Sequence, residues 1–352
     1  MFHRSAITMA GMLAVATLVP QAGAQTVLIG GEPGPNRGAR AETMRWYAEE
    51  VSRLTDGAVT IDMRWGGALY GDSAALGALR DGVADLGTVI GVYFPQEMAA
   101  LGVADLPLDN PDSWVGMRAT DDVMRTEAVT QDLARRNLVY LGTFTASTVQ
   151  LGCRGREVRT VEDIRGLRMR GVGTYGQVFR DLGASLVNMS VYEAYQALET
   201  GLLDCTQVYS YLVQAMSFDE VLSSYTLLDW GQIGSVTLFM NKDAYEFLEP
   251  AEQEAMMEAG RALADQMGSR VFEANEEGIE ILRAQGTPVI EFDPAERQRL
   301  IEASGSYIEQ WQARADQEGL DGAALLAEFQ ERVAHWTQVR ETEGYPWERA
   351  AD

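Results

Sequence analysis

Val27-Leu28-Ile29-Gly30-Gly31 and Val59-Thr60-Ile61-Asp62-Met63-Arg64-Trp65 decide the fold class of this chain. The first stretch is an apolar run that two glycines end, and in the second apolar and polar residues alternate with period two, so both predict strands. Residues 39–54 between them predict a helix whose apolar stripe contains Met44, Tyr47, Val51 and Leu54. This β-α-β opening predicts an α/β architecture.

Glycine and proline residues punctuate the same alternation of strands and helices to about residue 240. Within it, Ala78–Asp85 and Ala197–Asp204 share the pattern A-L-x-x-G-x-x-D, and each ends a helical stretch at a glycine before a short strand. Glycine is common at helix C-termini. The repeat therefore indicates either two ordinary helix–strand corners or two similarly built lobes.

The last third of the chain is predicted to be helical. Residues 250–284 read as one long amphipathic helix that starts at Pro250 and is long enough to span two lobes. A strand at 289–292 and further helices to about Thr342 follow, and we expect their acidic and glutamine-rich faces in solvent. A chain of 352 residues exceeds what one core usually serves, which favours two domains.

The N-terminus has the pattern of a secretory signal. Residues 1–24 combine a short basic start, an apolar stretch from Ala6 to Val19, and Ala22-Gly23-Ala24. This predicts a signal peptide that is cleaved after Ala24, with an uncleaved anchor as the alternative. The apolar stretch is shorter than the about 20 residues that a membrane-spanning helix needs. We therefore expect an exported, soluble mature protein.

The chain is strongly acidic, with a formal net charge of −24, so nucleic acid and anionic membranes are poor partners. The few basic clusters are informative for this reason. Residues 160–164 predict a capped turn that Gly166 stops, and a strand with Arg168 and Arg170 follows. A guanidinium matches a carboxylate with two parallel hydrogen bonds, so these arginines either bind an organic acid or lie on the surface.

Other motifs predict structure more than chemistry. Cys153 and Cys205 are the two cysteines, and in an oxidising compartment we expect them to form a structural disulfide. Only His335 follows the predicted leader, and no cluster has metal-ligand spacing, so no metal site is expected. No catalytic residue is predicted because nucleophile, zincin and P-loop patterns are absent, although the abundant acids leave a carboxylate pair open.

Gly171-Val172-Gly173-Thr174-Tyr175-Gly176 fits G-x-G-x-x-G between a predicted strand and a helical stretch. A lone match in an exported chain is weak, so no dinucleotide and no other cofactor is expected. A milder interpretation stays open. Glycines allow the backbone to approach an anion, and the helix N-terminus would add positive potential beside Arg170.

Several marks occur in a characteristic order: Asp85, Asp105-Leu106-Pro107, Asp163–Arg170, Gly183-Ala184-Ser185, Met189, Glu193–Leu198 and Gly201–Asp204. Over essentially the whole mature chain, this order resembles the DctP-like substrate-binding subunits of tripartite ATP-independent periplasmic (TRAP) transporters. The resemblance implies a two-lobed periplasmic-binding-protein-like α/β fold, with a ligand cleft between the lobes and a long helix spanning both. Lobe I would comprise residues 25–149 plus about 232–275, and lobe II residues 150–231 plus about 276–352.

The resemblance also implies site residues. The family's selectivity arginine is the last residue of the G-L-(K/R)-x-R stretch, which is Arg170 here, with Arg168 as a weaker candidate. Where relatives carry a ligand-binding asparagine, a second arginine and an aromatic residue, this chain has Val208, Gln150 and Val191. Trp230, which matches a site-adjacent position of the family, and Tyr209, beside Val208, are further candidates. Glu32 and Tyr93 are candidates because they lie in loops at strand ends, and each is either a ligand-binding residue or a core or surface residue.

One firm cation and an apolar wall would suit a monocarboxylate with an apolar or aromatic body better than a sialic acid. The implied function is capture of a small organic carboxylate in the periplasm and its delivery, by hinge closure, to integral membrane permease subunits. The alternatives are a binding protein of an ATP-driven transporter or sensor system and, with less support, a periplasmic enzyme.

Overall fold

The computed structural model describes residues 25–108, 110, 112–144 and 147–349, so the predicted signal peptide lies outside the described residues. The strands are β1 Thr26–Gly31, β2 Val59–Arg64, β3 Leu86–Ile90, β4 Leu138–Thr143, β5 Gln150–Cys153, β6 Arg168–Arg170, β7 Ser185–Val187, β8 Cys205–Val208, β9 Ser224–Leu227, β10 Val236–Asn241 and β11 Val289–Glu291.

The helices are α1 Gly38–Leu54, α2 Ala75–Arg80, α3 Ala99–Gly102, α4 Ser113–Met124, α5 Glu127–Arg135, α6 Gly173–Asp181, α7 Ala194–Glu199, α8 Leu212–Ala215, α9 Lys242–Phe247, α10 Pro250–Arg261, α11 Leu263–Ala284, α12 Pro294–Ala303, α13 Gly305–Gln317, α14 Gly322–Glu343 and α15 Pro346–Arg349. Short 3₁₀ turns lie at Asp72–Ala74, Gly91–Tyr93, Val103–Asp105, Val161–Ile164, Val191–Glu193 and Phe218–Glu220. In this part of the chain, no helix is long and apolar enough to cross a membrane.

The first lobe is built on a five-stranded sheet with the strand order β2-β1-β3-β10-β4. β1 is parallel to β2 and β3, whereas β10 is antiparallel to β3 and β4. α1 packs on β2 and buries Met44, Tyr47 and Val51 of its predicted stripe. Since β10 returns from the second lobe, the first lobe is assembled from two separate segments of chain.

The second lobe is built on a six-stranded sheet with the strand order β11-β9-β5-β8-β6-β7. β6 lies between β7 and β8 and is parallel to both. This trio repeats the first lobe, where β1 lies between β2 and β3 in the same way. The predicted two-lobed α/β fold is confirmed.

The repeated A-L-x-x-G-x-x-D pattern marks equivalent corners of the two lobes. In each copy the glycine ends the helix with a positive φ, 73° at Gly82 and 74° at Gly201. The final acid of each copy then accepts a backbone N–H from the neighbouring strand. Asp85 accepts from Ile29 at 2.7 Å, and Asp204 accepts from Arg168 at 2.8 Å. The repeated pattern therefore reflects two similarly built lobes, which was one of its two interpretations.

The single helix predicted over residues 250–284 is two helices in the structure. α10 ends at Arg261 and α11 begins at Leu263. Between them the N–H of Ala262 donates to the carbonyl of Ala259, three residues back, instead of four as in an α-helix. α11 contacts α1 and α4 of the first lobe and α8 and β11 of the second. The helix that spans both lobes is therefore α11 alone.

The placement of residues 276–352 in the second lobe is wrong for the end of the chain. α12 does pack on the second lobe, but α13 contacts α3 and α14 lies along α4 of the first lobe. The indole of Trp311 donates to the carbonyl of Ala99 at 2.9 Å, and that of Trp336 donates to Asp122 at 2.8 Å. Because these helices are mostly polar, their sequence did not indicate which face packs on the first lobe.

The predicted disulfide is present in the second lobe. Cys153 of β5 and Cys205 of β8 lie directly opposite each other in antiparallel register and are bonded. Both residues are fully buried. The bond therefore joins two neighbouring core strands, one of which leads towards the cleft.

Asp105 ties the two segments of the first lobe together. One of its carboxylate oxygens accepts the N–H groups of Gly234 and Ser235, both at 3.0 Å, just before β10. Its other oxygen is buried without a partner among the described residues. Burial raises the pKa of the Asp105 carboxyl to about 7.

Replacing both cysteines by alanine should lower the free energy of unfolding by about 2–4 kcal/mol, because the bond closes a long loop and restricts the unfolded chain. Urea denaturation of both proteins measures the difference. It should shrink when both are refolded in dithiothreitol. Equal stability under oxidising conditions would contradict a stabilising role for this bond.

Asp105→Asn should gain stability relative to the wild type as the pH rises. The folded protein keeps the Asp105 proton up to about pH 7, whereas the unfolded chain loses it near pH 4. The folded state thus binds more protons between these values, and the stability due to Asp105 falls as the pH rises through them. Melting temperatures from pH 5 to pH 8 measure this, with Glu49→Gln at an exposed carboxyl as the control. Parallel curves for Asp105→Asn and the wild type would refute the assignment.

Candidate ligand-binding site

The two lobes meet at the carboxyl ends of their central parallel strands. Glu32 directly follows β1, and Arg170 is the last residue of β6. In open α/β sheets, ligands bind outside the carboxyl ends of the strands. The repeated strand trio thus brings two equivalent strand ends to one cleft.

Arg170 is buried, with 1% of its surface exposed. Its guanidinium donates to the carbonyl of Gln207 at 2.9 Å and, through Nε, to the carbonyl of Met189 at 3.2 Å. Nη2 donates to the hydroxyl of Tyr93, across the cleft, at 3.1 Å. All of these acceptors are neutral. Within the described chain, no carboxylate forms an ion pair with Arg170.

Arg168 lies at the amino end of the same strand and is exposed. Its guanidinium pairs with Asp204 at 2.6 Å and donates to the carbonyl of Gly201 at 2.6 Å. These contacts fix the corner between β6 and β8. Arg168 therefore has its counterion on the surface, away from the cleft.

Glu32 forms a buried ion pair with Arg40 at 2.8 Å. The Glu32 carboxylate also accepts from the N–H of Gly34 at 2.7 Å and from the hydroxyl of Thr88 at 2.6 Å. Arg40 donates in turn to the hydroxyl of Tyr192 in the second lobe at 2.7 Å. Arg40 was not among the site residues predicted from the sequence. Its signal was present, because residue 40 continues the buried α1 stripe of residues 44, 47 and 51 at helical spacing.

Among the described residues, three hydrogen bonds between two side chains join the lobes close to Arg170 and Asp72. Two are the bonds from Arg40 to Tyr192 and from Arg170 to Tyr93. In the third, Ser190 donates to Asp72, which begins the 3₁₀ turn before α2. Ser190 caps the equivalent turn before α7. The lobes therefore contact each other through equivalent parts of their folds.

Asp72 is buried in this contact. Burial raises the pKa of its carboxyl above the ordinary value, while the Ser190 hydrogen bond and the positive charges of Arg40 and Arg170 act in the opposite direction. Glu32 adds a smaller raising effect. Asp72 thus lies in the electrostatic field of both buried arginines without an ion pair to either.

A cavity of about 500 Å³ opens between the lobes at this contact. Tyr93 lines it on the first lobe, and Arg170 lies directly behind Tyr93 and Met189. The wall combines polar and apolar surface in similar amounts. The polar and aromatic side chains that line it are Asp72, Ser73, Tyr93, Asn188, Ser190, Tyr192 and Glu193.

The remaining predicted residues lie behind the site or in the core. Gln150 donates to Asp229 at 2.7 Å, and Tyr209 accepts from Gln207 at 3.2 Å and stacks on Tyr211. Trp230 is fully buried between aromatic rings of α6. Val191 and Val208 are buried as well. Among the described residues, none of these five lines the 500 Å³ cavity.

The G-x-G-x-x-G stretch serves close packing between β6 and α6. A Cβ placed on Gly176 would lie 2.6 Å from the carbonyl carbon of Gly171, so the strand and helix backbones touch here. Among the described residues, no group of three or more His, Cys, Asp or Glu side chains is placed to hold a metal ion.

Residues 36–315 match the family model described as bacterial extracellular solute-binding protein, family 7. A solute-binding protein of Sulfitobacter sp. (strain NAS-14.1) is 28% identical over 314 residues, which are 86% of this chain and 92% of that protein.

Two solved structures share the fold. A TRAP periplasmic solute-binding protein from Bordetella bronchiseptica, with bound (R)-mandelate and (S)-mandelate, has a TM-score of 0.80 and 22% identity, covering 88% of this chain and 99% of that one. Another from Sulfitobacter sp. NAS-14.1, with bound β-D-galacturonate, has a TM-score of 0.75 and 22% identity, covering 87% and 100%. With a family match over most of its length and two lobes that meet at a cleft, this chain belongs to family 7 of the bacterial extracellular solute-binding proteins, the DctP-like substrate-binding subunits of TRAP transporters.

Proposed function

We propose that this protein captures a small organic carboxylate in the cleft between its lobes and delivers it to integral membrane permease subunits of a TRAP transporter. The observation that carries the proposal is Arg170, a buried guanidinium at the cleft with only neutral acceptors in the described chain. A cation held in the interior without a counterion is costly, and a ligand carboxylate would supply the missing charge.

The geometry supports a carboxylate in particular. Nη2 of Arg170 donates across the cleft to the hydroxyl of Tyr93, a neutral partner that a ligand carboxylate could replace. A carboxylate in that place would add an opposite charge and could accept two parallel hydrogen bonds from the guanidinium, which a neutral hydroxyl cannot do. The relatives with bound mandelate and galacturonate hold organic acids, which agrees with this ligand class.

Closure of the lobes would link capture to delivery. Residues of both lobes line the cavity, and three hydrogen bonds between side chains join the lobes beside it. A ligand that contacts both walls favours the closed shape over the open one, and this shift in population is the signal that a permease can recognise. Export through the signal at residues 1–24 would place the mature chain in the periplasm.

We also propose that the ligand leaves the protein chemically unchanged. Incubating the protein with each bound acid and recovering that acid by mass spectrometry tests this directly. Quantitative recovery supports a binding protein, and a product that accumulates with time would favour the enzyme alternative.

Arg170→Ala should weaken carboxylate binding by about 2–4 kcal/mol, or roughly 30- to 1000-fold, because it removes charge-assisted contacts from a buried site. The ligand is first found by thermal shift against a panel of organic acids and matched neutral compounds, since a ligand of the folded state raises its melting temperature. Isothermal titration calorimetry then measures the affinity of each variant.

Arg168→Ala is the matched control, two residues away on the same strand, with its own surface counterion. We expect its affinity to stay within about threefold of the wild type. Equal binding by wild type and Arg170→Ala, or stabilisation by neutral compounds only, would overturn the carboxylate assignment.

A further inference from the structure

The last helical turn of the chain packs against the helix that spans both lobes. Gly344 ends α14 with a φ of 74° and turns residues 345–349 onto α11. We call these five residues the C-terminal strap. A Cβ placed on Gly268 of α11 would lie 2.5 Å from the ring of Trp347, so this ring rests directly on the helix backbone. Tyr345 stacks on Trp347 with 4.6 Å between the ring centroids.

Helix α11 passes from one lobe to the other beside the strap. On the first-lobe side, the sulfur of Met267 accepts from a threonine hydroxyl of α1 at 3.4 Å. On the second-lobe side, Asn275 accepts the N–H of Tyr211 at 2.9 Å. Phe272 lies between these two points, and its ring contacts that of Tyr345 with 5.7 Å between the centroids. The strap therefore touches the part of α11 on which a hinge motion between the lobes would act.

The strap is also linked to two other segments that cross between the lobes. The hydroxyl of Tyr345 and the guanidinium of Arg340 donate to the Asp112 carboxylate at 2.8 Å and 2.7 Å. The backbone carbonyl of Asp112 accepts in turn from the side-chain amide of Gln232 at 3.3 Å. Gln232 lies between β9 and β10, and it pairs with Thr148, which lies between β4 and β5. Together with α11, the strap thus reaches three of the connections between the lobes.

Trp114 of α4 supports the strap from the first lobe. It is buried, and its ring meets those of Tyr345 and Trp347 edge-on, with centroids 5.7 Å and 6.3 Å away. Its indole N–H donates to Asp265 of α11 at 2.7 Å. Edge-on aromatic pairs stabilise an arrangement beyond the area that they bury. These contacts hold the strap on the first lobe, at a defined place against α11.

Space for movement lies beside the strap. A cavity of about 280 Å³ is bounded by Tyr345 and Trp347 on one side and by Thr148 and Asn275 on the other. Protein interiors are close-packed and resist displacement, whereas a cavity leaves room for the side chains around it to shift. The hinge residues can therefore move relative to the strap while each lobe keeps its own packing.

We propose that the C-terminal strap favours the closed arrangement of the lobes, because it holds α11 and the link from Asp112 to Gln232 in the geometry that they have while the lobes touch. The lobes do touch in this structure, through the hydrogen bonds of Arg170 and Ser190. A contact that is formed in one arrangement and altered in the other shifts the population towards the first. This inference rests on the lobe closure in the proposed function, but on no particular ligand.

Disulfide trapping measures closure without a ligand. Asp72 and Ser190 of opposite lobes contact each other here, so the double substitution Asp72→Cys and Ser190→Cys brings two thiols together when the lobes close. With oxidised glutathione as the oxidant, the rate of trapping follows the closed fraction, and the native disulfide is buried and already formed. Adding Trp347→Ala should slow trapping about 3- to 10-fold, because the closed arrangement loses aromatic contacts.

Trp336→Ala is the matched control. This tryptophan belongs to the same aromatic cluster, but its indole donates to Asp122 of the first lobe. Both alanine variants should lower the melting temperature, since each removes a packed ring, yet only Trp347→Ala should slow trapping. Tyr345→Phe removes the hydroxyl bond to Asp112 and keeps the ring, so it tests the strap even if Trp347→Ala does not fold. We expect it to slow trapping about 2- to 5-fold.

The outcomes separate the strap from the proposed function. Trapping that is as fast or faster in the folded strap variants overturns the role of the strap and leaves carboxylate capture intact. Equal slowing in Trp336→Ala does the same, because it assigns the effect to a general loss of packing. If the two thiols are not trapped even with the strap unaltered, the lobes do not close in solution, and the closure step of the proposed function fails together with the strap.

Discussion

The buried guanidinium of Arg170 is the constraint on which the rest of the cleft depends. Strand β6 fixes its backbone, and acceptors from three separate parts of the chain fix its side chain. None of these acceptors carries a charge, so the fold orients the cation without neutralising it. Placing a charge in the interior costs several kcal/mol unless a counterion is present. A site of this kind gains from binding an anion, which is the physical basis of the proposed function.

Arg40 shows the contrasting solution. It is also buried in the same region, but Glu32 lies 2.8 Å away and is itself held by two further donors. This pair is compensated within the first lobe and reaches the second only through the hydroxyl of Tyr192. One buried arginine therefore has its counterion within the first lobe, and the other has none among the described residues.

Repetition within the fold explains why the site forms where the lobes meet. The trios β2-β1-β3 and β7-β6-β8 have the same order. A 3₁₀ turn and a short helix follow β2 in the first lobe and β7 in the second. Those two turns meet through Asp72 and Ser190, and the central strands end at Glu32 and Arg170. Both walls of the cavity therefore include residues of these equivalent segments, which also form the contact between the lobes.

The sequence by itself determined the local structure. Periodicity located β1, α1 and β2, the Thr160 capping pattern and Gly166 located the turn before β6, and the cysteine pair indicated a disulfide that the structure contains. Resemblance to a family indicated the two lobes and singled out Arg170. These features depend on neighbouring residues or on a motif of fixed spacing, and a sequence displays both directly.

The tertiary structure decided which side chains share the cleft. Arg40, Asp72 and Ser190 come from distant parts of the chain, and their proximity follows from the packing of one lobe against the other. Packing also decided where Val191, Val208 and Trp230 lie. The resemblance placed them at or beside the ligand site, but they are buried in the core here. The end of the chain packs on the first lobe for a related reason, because a few tryptophans, not the overall polarity, set its contact face. A sequence records which residues are polar or apolar, but the partner of each buried group is fixed only when separate elements come together and exclude water.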